Sequence, residues 1–275
     1  MIYFGTGGVP VSAEDRSTEG GIRKIFELEL DAMEIEFVRG VKMKENKAKG
    51  VRETAEATGV LLTAHAPYYI NLASEEKFDV SVERIINTVR IGNIAGVRSV
   101  VFHAAYYGKD RKRAYKMVKK GIKEVMKFME HEGIELDLRV ETTGKPSQFG
   151  ELDEILSLCE ETGCRICVDF AHIHARTGGK YNSYEEFMEI FERIEKRLGK
   201  EELSFLHMHV SGIDYDERVG EKEHLNLRDS DFNWKDLLRA LKDKGVGGVI
   251  IVESPNLEED AMLLKSEWKK MGGEG

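Results

Sequence analysis

The chain has 275 residues, with 41 lysines and arginines against 50 aspartates and glutamates, for a formal charge of −9. That balance argues against an overall field that draws the protein to nucleic acid or an anionic membrane, so any such affinity must come from local basic loops. No apolar run approaches the ~18 residues of a membrane span, and the N-terminus lacks a basic segment leading into a long apolar one, so no membrane partner and cytoplasmic residence are the expectations.

Short apolar runs alternate with longer segments of helical period along the whole chain. The runs are Ile2 to Gly5, Ala32 to Phe37, Val60 to Ala64, Ser99 to His103, Leu136 to Glu141, Arg165 to Asp169, Leu203 to His209 and Gly248 to Glu253. Between them lie amphipathic segments such as Ser81 to Ala95, Ala114 to Glu132, Leu152 to Glu161, Tyr184 to Leu198, Trp234 to Lys244 and Glu258 to Lys270. Glycines stand where helices should stop, at Gly59, Gly96, Gly133, Gly163, Gly199 and Gly245. Eight strand signals, each followed by helical sequence, predict an α/β fold, a (β/α)8 TIM barrel occupying residues 1–275 as a single domain. No linker-like tract divides the chain. A doubly wound sheet is the alternative, but no dinucleotide fingerprint follows the first strand. The three cysteines, Cys159, Cys164 and Cys167, are too few and too odd in number for a disulfide framework, and are expected to be ordinary buried residues.

Active sites of such barrels lie at the carboxyl ends of the strands. Strand three leads into His65, and strands four to eight end at His103, Glu141, Asp169, His209 and Glu253. A single histidine at a strand end is most simply structural, but six metal-capable residues at six consecutive strand ends are not. His172, three residues after Asp169, reaches the same mouth from the following turn, whereas His174 is expected outside the cluster. A set of imidazoles and carboxylates without thiolates suits zinc first, and also manganese or iron. A catalytic zinc takes about three or four protein ligands, so seven candidates imply two ions, or three. Clustered divalent ions acidify bound water to a hydroxide, polarise a phosphate and stabilise a departing oxygen. Glu141, central in strand order, is the natural bridge, and Glu141 and Glu253 are the carboxylates expected to take part in the chemistry.

His65-Ala-Pro-Tyr-Tyr-Ile-Asn-Leu72, Val101-Phe-His103, Val140-Glu-Thr-Thr-Gly144, Cys167-Val-Asp-Phe-Ala-His172 and Val252-Glu-Ser-Pro-Asn256 together resemble the successive motifs of the endonuclease IV family of apurinic/apyrimidinic endonucleases, within the xylose isomerase-like barrels. The resemblance runs in order from about residue 60 to residue 256. It implies a zinc-dependent DNA repair enzyme that hydrolyses the phosphodiester 5′ to an abasic site in double-stranded DNA. It further implies that His65 and His103 hold a first zinc with Glu141 bridging, that Asp169, His209 and Glu253 complete a second, and that His172 serves a third. Tyr68 then corresponds to a tyrosine placed against the DNA at the lesion. One motif departs. The family's third zinc also uses an Asp-x-His pair after strand seven, and this chain reads Gly220-Glu-Lys-Glu-His-Leu-Asn226 there. Either Glu221 or Glu223 joins His224 and His172 in a variant third site, or only two metals are held.

Basic residues follow several strand ends: Arg39, Lys42 and Lys44, then Lys109 with Arg111 to Arg113, Lys145, and Arg176 with Lys180. Around a metal mouth these can position phosphates while aromatic rings such as Tyr68 or Tyr69 fill the gap of a missing base. Arg39, in a short loop, is the strongest individual candidate. The rival function is a single-metal sugar isomerase or epimerase built on Glu141, Asp169, His209 and Glu253; His65, His103 and His172 have no metal role in it. A non-catalytic DNA- or metal-binding barrel is the third reading, and a monomer is expected.

Overall fold

Eight parallel strands close on themselves in the order β1-β12-β9-β8-β6-β4-β3-β2, as a computed structural model describing residues 1–273 shows. In chain order the elements are β1 (Ile2–Gly7), α1 (Thr18–Glu27), β2 (Ala32–Glu36), α2 (Glu45–Thr58), β3 (Leu61–His65), α3 (Phe78–Ala95), β4 (Ser99–Phe102), β5 (Ala105–Tyr106), α4 (Arg111–Glu132), β6 (Asp137–Glu141), β7 (Gln148–Phe149) and α5 (Leu152–Thr162). They continue with β8 (Arg165–Asp169), α6 (Phe170–Arg176), α7 (Tyr184–Leu198), α8 (Lys200–Ser204), β9 (Leu206–Val210), β10 (Gly212–Asp216), β11 (Gly220–Leu225), α9 (Trp234–Lys244), β12 (Gly248–Val252) and α10 (Glu258–Lys270). The eight runs read from the sequence are the eight barrel strands. The seventh is shorter than expected, because Leu203 belongs to α8 and the strand starts at Leu206.

Local chemistry explains the helix ends. Ser183 and Glu186 form a reciprocal capping box that starts α7. Gly59, Gly96, Gly133, Gly163 and Gly245 all cap helices in the left-handed region. Gly199 differs: with φ 89° and ψ 164° it leaves α7 extended and leads straight into α8.

Alternation along each strand sorts its residues between two surroundings. Phe4, Met33, Ile35, Leu62, Val100, Val140, Val168, Met208 and Ile250 belong to the large core between strands and helices. The residues between them face the barrel interior, where Ala32, Val249 and Ile251 form a small separate apolar cluster. Above that cluster the interior is largely polar.

At the amino-terminal ends of β6 and β8 a charged network fills the barrel. Arg139, fully buried, donates to Ile166 O at 2.7 Å, Phe205 O at 2.9 Å, Glu202 Oε1 at 2.9 Å and Asp137 Oδ2 at 2.9 Å. Arg165 donates to Glu202 Oε2 at 2.7 Å and reaches Asp137 at 3.2 Å. Burial pushes the Asp137 carboxyl up, but the Arg139 and Arg165 guanidiniums outweigh it and hold the carboxyl below its usual range. A carboxyl depressed in the folded state contributes stability that is present above its unfolded pKa and lost as pH falls through the folded one. Acid unfolding is therefore expected to steepen below about pH 4, and Asp137→Asn to flatten that slope in denaturant titrations repeated across pH. An unchanged slope counts against this role for Asp137.

Candidate metal centre

The carboxyl ends of β3, β6 and β8 carry His65, Glu141 and Asp169, and His103, His209 and Glu253 come from the ends of β4, β9 and β12. Glu141 is the hub. His65 Nε2 lies 3.0 Å and His103 Nε2 3.1 Å from its Oε2. On the other oxygen, His172 Nδ1 lies at 3.1 Å and His209 Nδ1 at 3.4 Å from Oε1. His209 Nδ1 is also 3.5 Å from Glu253 Oε1.

Asp169 ends β8 and caps α6, accepting from the His172 backbone N–H at 2.7 Å through Oδ1. The cap sends the chain back over the mouth, so His172 lies on the first turn of a short helix rather than in a loop. His172 Nδ1 then faces three oxygens at once: Thr142 O at 3.0 Å, Glu141 Oε1 at 3.1 Å and Asp169 Oδ2 at 3.1 Å. His174 points away, contacting Lys180 O and Asp231.

The loop that departs from the family motif is an antiparallel hairpin, β10 with β11. It closes onto the mouth because Gly144 has no side chain: a Cβ there would stand 2.6 Å from Glu221 Cβ and 3.0 Å from His172 Cδ2. His224 Nε2 comes within 3.4 Å of His172 Nε2, and Glu221 Oε2 within 3.7 Å of the same nitrogen. Glu223 is exposed on the hairpin. Of the two glutamates that the sequence left open, Glu221 is the one brought to the cluster.

These donors fit divalent metal. They form three groups of converging ligand atoms: His65, His103 and Glu141; Glu141, Asp169, His209 and Glu253; and Asp169, His172 and His224. Ligand atoms held tetrahedrally around zinc at ~2.0–2.2 Å stand roughly 3.3–3.6 Å apart, close to the separations above. Asp169 Oδ2 and His209 Nδ1 are buried without a hydrogen-bond partner among the described residues, the condition in which a polar atom calls for a ligand. Protonation shows the same demand. Burial works against charged imidazoles here, yet Glu141 and Glu36 raise His65 to about 10, and Asp169 and Glu141 raise His172. A metal bound by these nitrogens displaces those protons.

Tyr68 is 50% exposed, with its ring centroid 5.5 Å from that of His65 and 6.2 Å from that of His103. It roofs a cavity of about 270 Å³ that Tyr106, Lys145 and Gln148 also line. Arg39 lies exposed beside a neighbouring cavity that Glu36 also lines. Three of the basic candidates are already engaged, Arg113 by pairing with Glu75. Arg176 is half-buried, bonded to Thr143 O, Lys145 O and Gln148 O, and braces the loop after β6. Arg111 donates to Pro146 O and lies 4.2 Å from the centroid of the Tyr107 ring. Cys159, Cys164 and Cys167 are free and buried, as expected.

Sequence reading missed Glu34, Glu36 and His207, which face the interior beneath and beside the mouth. Their signal was present as alternation: Ala32, Glu34 and Glu36 share one face of β2, and His207 shares a face of β9 with His209.

The xylose isomerase-like TIM barrel family model matches residues 22–270. An uncharacterized protein of Methanocaldococcus jannaschii is 46% identical, over 96% of this chain and 96% of its own length. A probable endonuclease 4 of Carboxydothermus hydrogenoformans is 26% identical over 80% of each chain. Endonuclease IV from Thermus thermophilus superposes with a TM-score of 0.75 at 21% identity, covering 98% of this chain and 99% of that one. A D-tagatose 3-epimerase-like protein superposes at 0.73 with 22% identity, covering 96% of both. At those identities the two structures speak to the fold alone. By the reach of its family model, which spans residues 22–270, the chain belongs to the xylose isomerase-like TIM barrel family.

Proposed function

We propose that this protein is a metal-dependent apurinic/apyrimidinic endonuclease that hydrolyses the DNA phosphodiester 5′ to an abasic site. The observation that carries the reading is Glu141 with two histidines on each carboxylate oxygen. Curated relatives named probable endonuclease 4 support it. Bound by these residues, two or three zinc ions supply Lewis-acid polarisation of a phosphate and acidification of water.

The chain's own residues do the rest. Glu141 belongs to two of the donor groups and would offer its carboxylate to an ion held in either. Asp169 and Glu253 balance charge beside His209, and Glu221 and His224 close the hairpin side through His172. Manganese can replace zinc in such a mixed donor set. The half-exposed Tyr68 ring stacks into the gap left by the missing base, while Lys145 and Arg39 contact phosphates.

A sugar isomerase working around one ion uses only Glu141, Asp169, His209 and Glu253, and leaves His65, His103, His172 and His224 without a task. Metal analysis of the purified protein, followed by incubation with a duplex carrying one abasic site, separates the two. At least two equivalents of metal and incision 5′ to the lesion that EDTA abolishes are expected. One metal per chain with ketose interconversion and no incision sinks the nuclease reading.

A further inference from the structure

Three carboxylates gather on the β1–β2 side of the mouth, beside the donor groups centred on Glu141 and sharing only Glu253 with them. Glu34 and Glu36 lie on the same face of β2, and Glu253 follows β12. β1 lies between those strands in the barrel, and its last residue is Gly7. A Cβ on Gly7 would stand 3.3 Å from Glu253 Cγ and 3.7 Å from Glu36 Oε1. The bare backbone thus lets acids from the two flanking strands approach, and one oxygen from each of Glu34, Glu36 and Glu253 comes within 4.8 Å of the others.

The three are not equally engaged. Glu34 is fixed as a floor, accepting from Thr63 Oγ1 at 2.6 Å, with His207 Nε2 at 3.3 Å and His209 Nε2 at 2.9 Å. Glu253 faces His209. Glu36 has nothing: both of its carboxylate oxygens are enclosed, and neither has a hydrogen-bond partner among the described residues. His65, its register neighbour on β3, does not serve it, because His65 Nε2 is turned to Glu141 and Nδ1 to Ala66 O at 2.7 Å.

We propose that Glu36, with Glu34 and Glu253, forms a further divalent-cation site on the β1–β2 side of the mouth, selective for a hard ion such as Mn2+ or Mg2+. All three donors are oxygens, and oxygen-only sites take magnesium, calcium or manganese where imidazole-rich sites take zinc. The site adds a second kind of metal position to the imidazole-rich mouth, and so rests on the metal-bearing reading of that mouth.

The test uses the full chain saturated with zinc, dialysed, and titrated with Mn2+ while the electron paramagnetic resonance signal of free Mn2+ is followed. Wild type is expected to take up one further equivalent, and Glu36→Gln none, with zinc content equal in the two. If Glu36→Gln does not fold, infrared difference spectra of wild type decide. A shift of the carboxylate stretching bands that saturates at one equivalent of added Mn2+ supports the site, and unchanged carboxylate bands overturn it. Zinc loading with no further Mn2+ uptake, or equal uptake by Glu36→Gln, overturns this inference and leaves the nuclease reading standing. Mn2+ uptake that depends on Glu36 in a protein that binds no zinc upholds the site and overturns the zinc-based mouth instead.

Discussion

Glu141→Gln is expected to lower incision of an abasic-site duplex by about 10³-fold or more, a loss of roughly 4 kcal/mol of transition-state stabilisation, while far-ultraviolet circular dichroism stays that of the barrel. The substitution keeps shape and removes charge. Burial penalises a carboxylate at this position, yet His103 and His209 hold Glu141 well below the usual carboxylate range, so it stands as an anion facing imidazoles. A carboxamide brings one weak oxygen donor and one N–H2 group that cannot ligate. Both flanking donor groups lose an anionic member at once, and metal content is expected to fall together with rate. Incision at the wild-type rate by Glu141→Gln removes the bridging role.

Arg139→Met is expected to destabilise the fold by about 3–5 kcal/mol, the usual cost of removing one partner from a buried ion network. For a chain of this size that is a fall in melting temperature of roughly 5–9 °C. The methionine fills the aliphatic space but leaves Ile166 O and Phe205 O without their donor, and Asp137 and Glu202 sharing Arg165 alone. The network stands at the amino-terminal ends of the strands, away from the mouth, so per-molecule activity at low temperature should persist. A melting temperature within about 1 °C of wild type, less than a 1 kcal/mol loss produces, refutes the role.

All eight strands were legible because outward-facing Val, Ile, Leu and Phe mark them against polar helices. The donors at their ends were legible for the same reason: each closes an apolar run. α1 and α2 gave a weaker signal. Among the ten residues of α1 are two adjacent glycines, and α2 buries only Ala48, Val51 and Ala55. The β10–β11 hairpin was hidden because half of it is charged and its fit depends on Gly144, a distant residue. Which glutamate meets His172 is a matter of register in that hairpin, and composition does not encode it. Glu34, Glu36 and His207 were overlooked because they sit inside runs whose apolar half drew the reading. A barrel strand has two faces, and only one of them must be greasy.

That division makes the molecule two concentric cylinders with separate duties. The outer one, strands against helices, carries the apolar burial that favours folding; the inner one carries Glu34, Glu36, Arg139, Cys167, His207 and the mouth, and contributes little of it. Inner residues can therefore be exchanged with small loss of apolar burial, provided that charge and hydrogen bonding are rebalanced. A lineage can rewrite its chemistry from the inside while the shell drifts slowly. Deep mutational scanning for solubility should return this as a period-two stripe along each strand, intolerant of polar residues on the outer face and tolerant of paired polar exchanges on the inner.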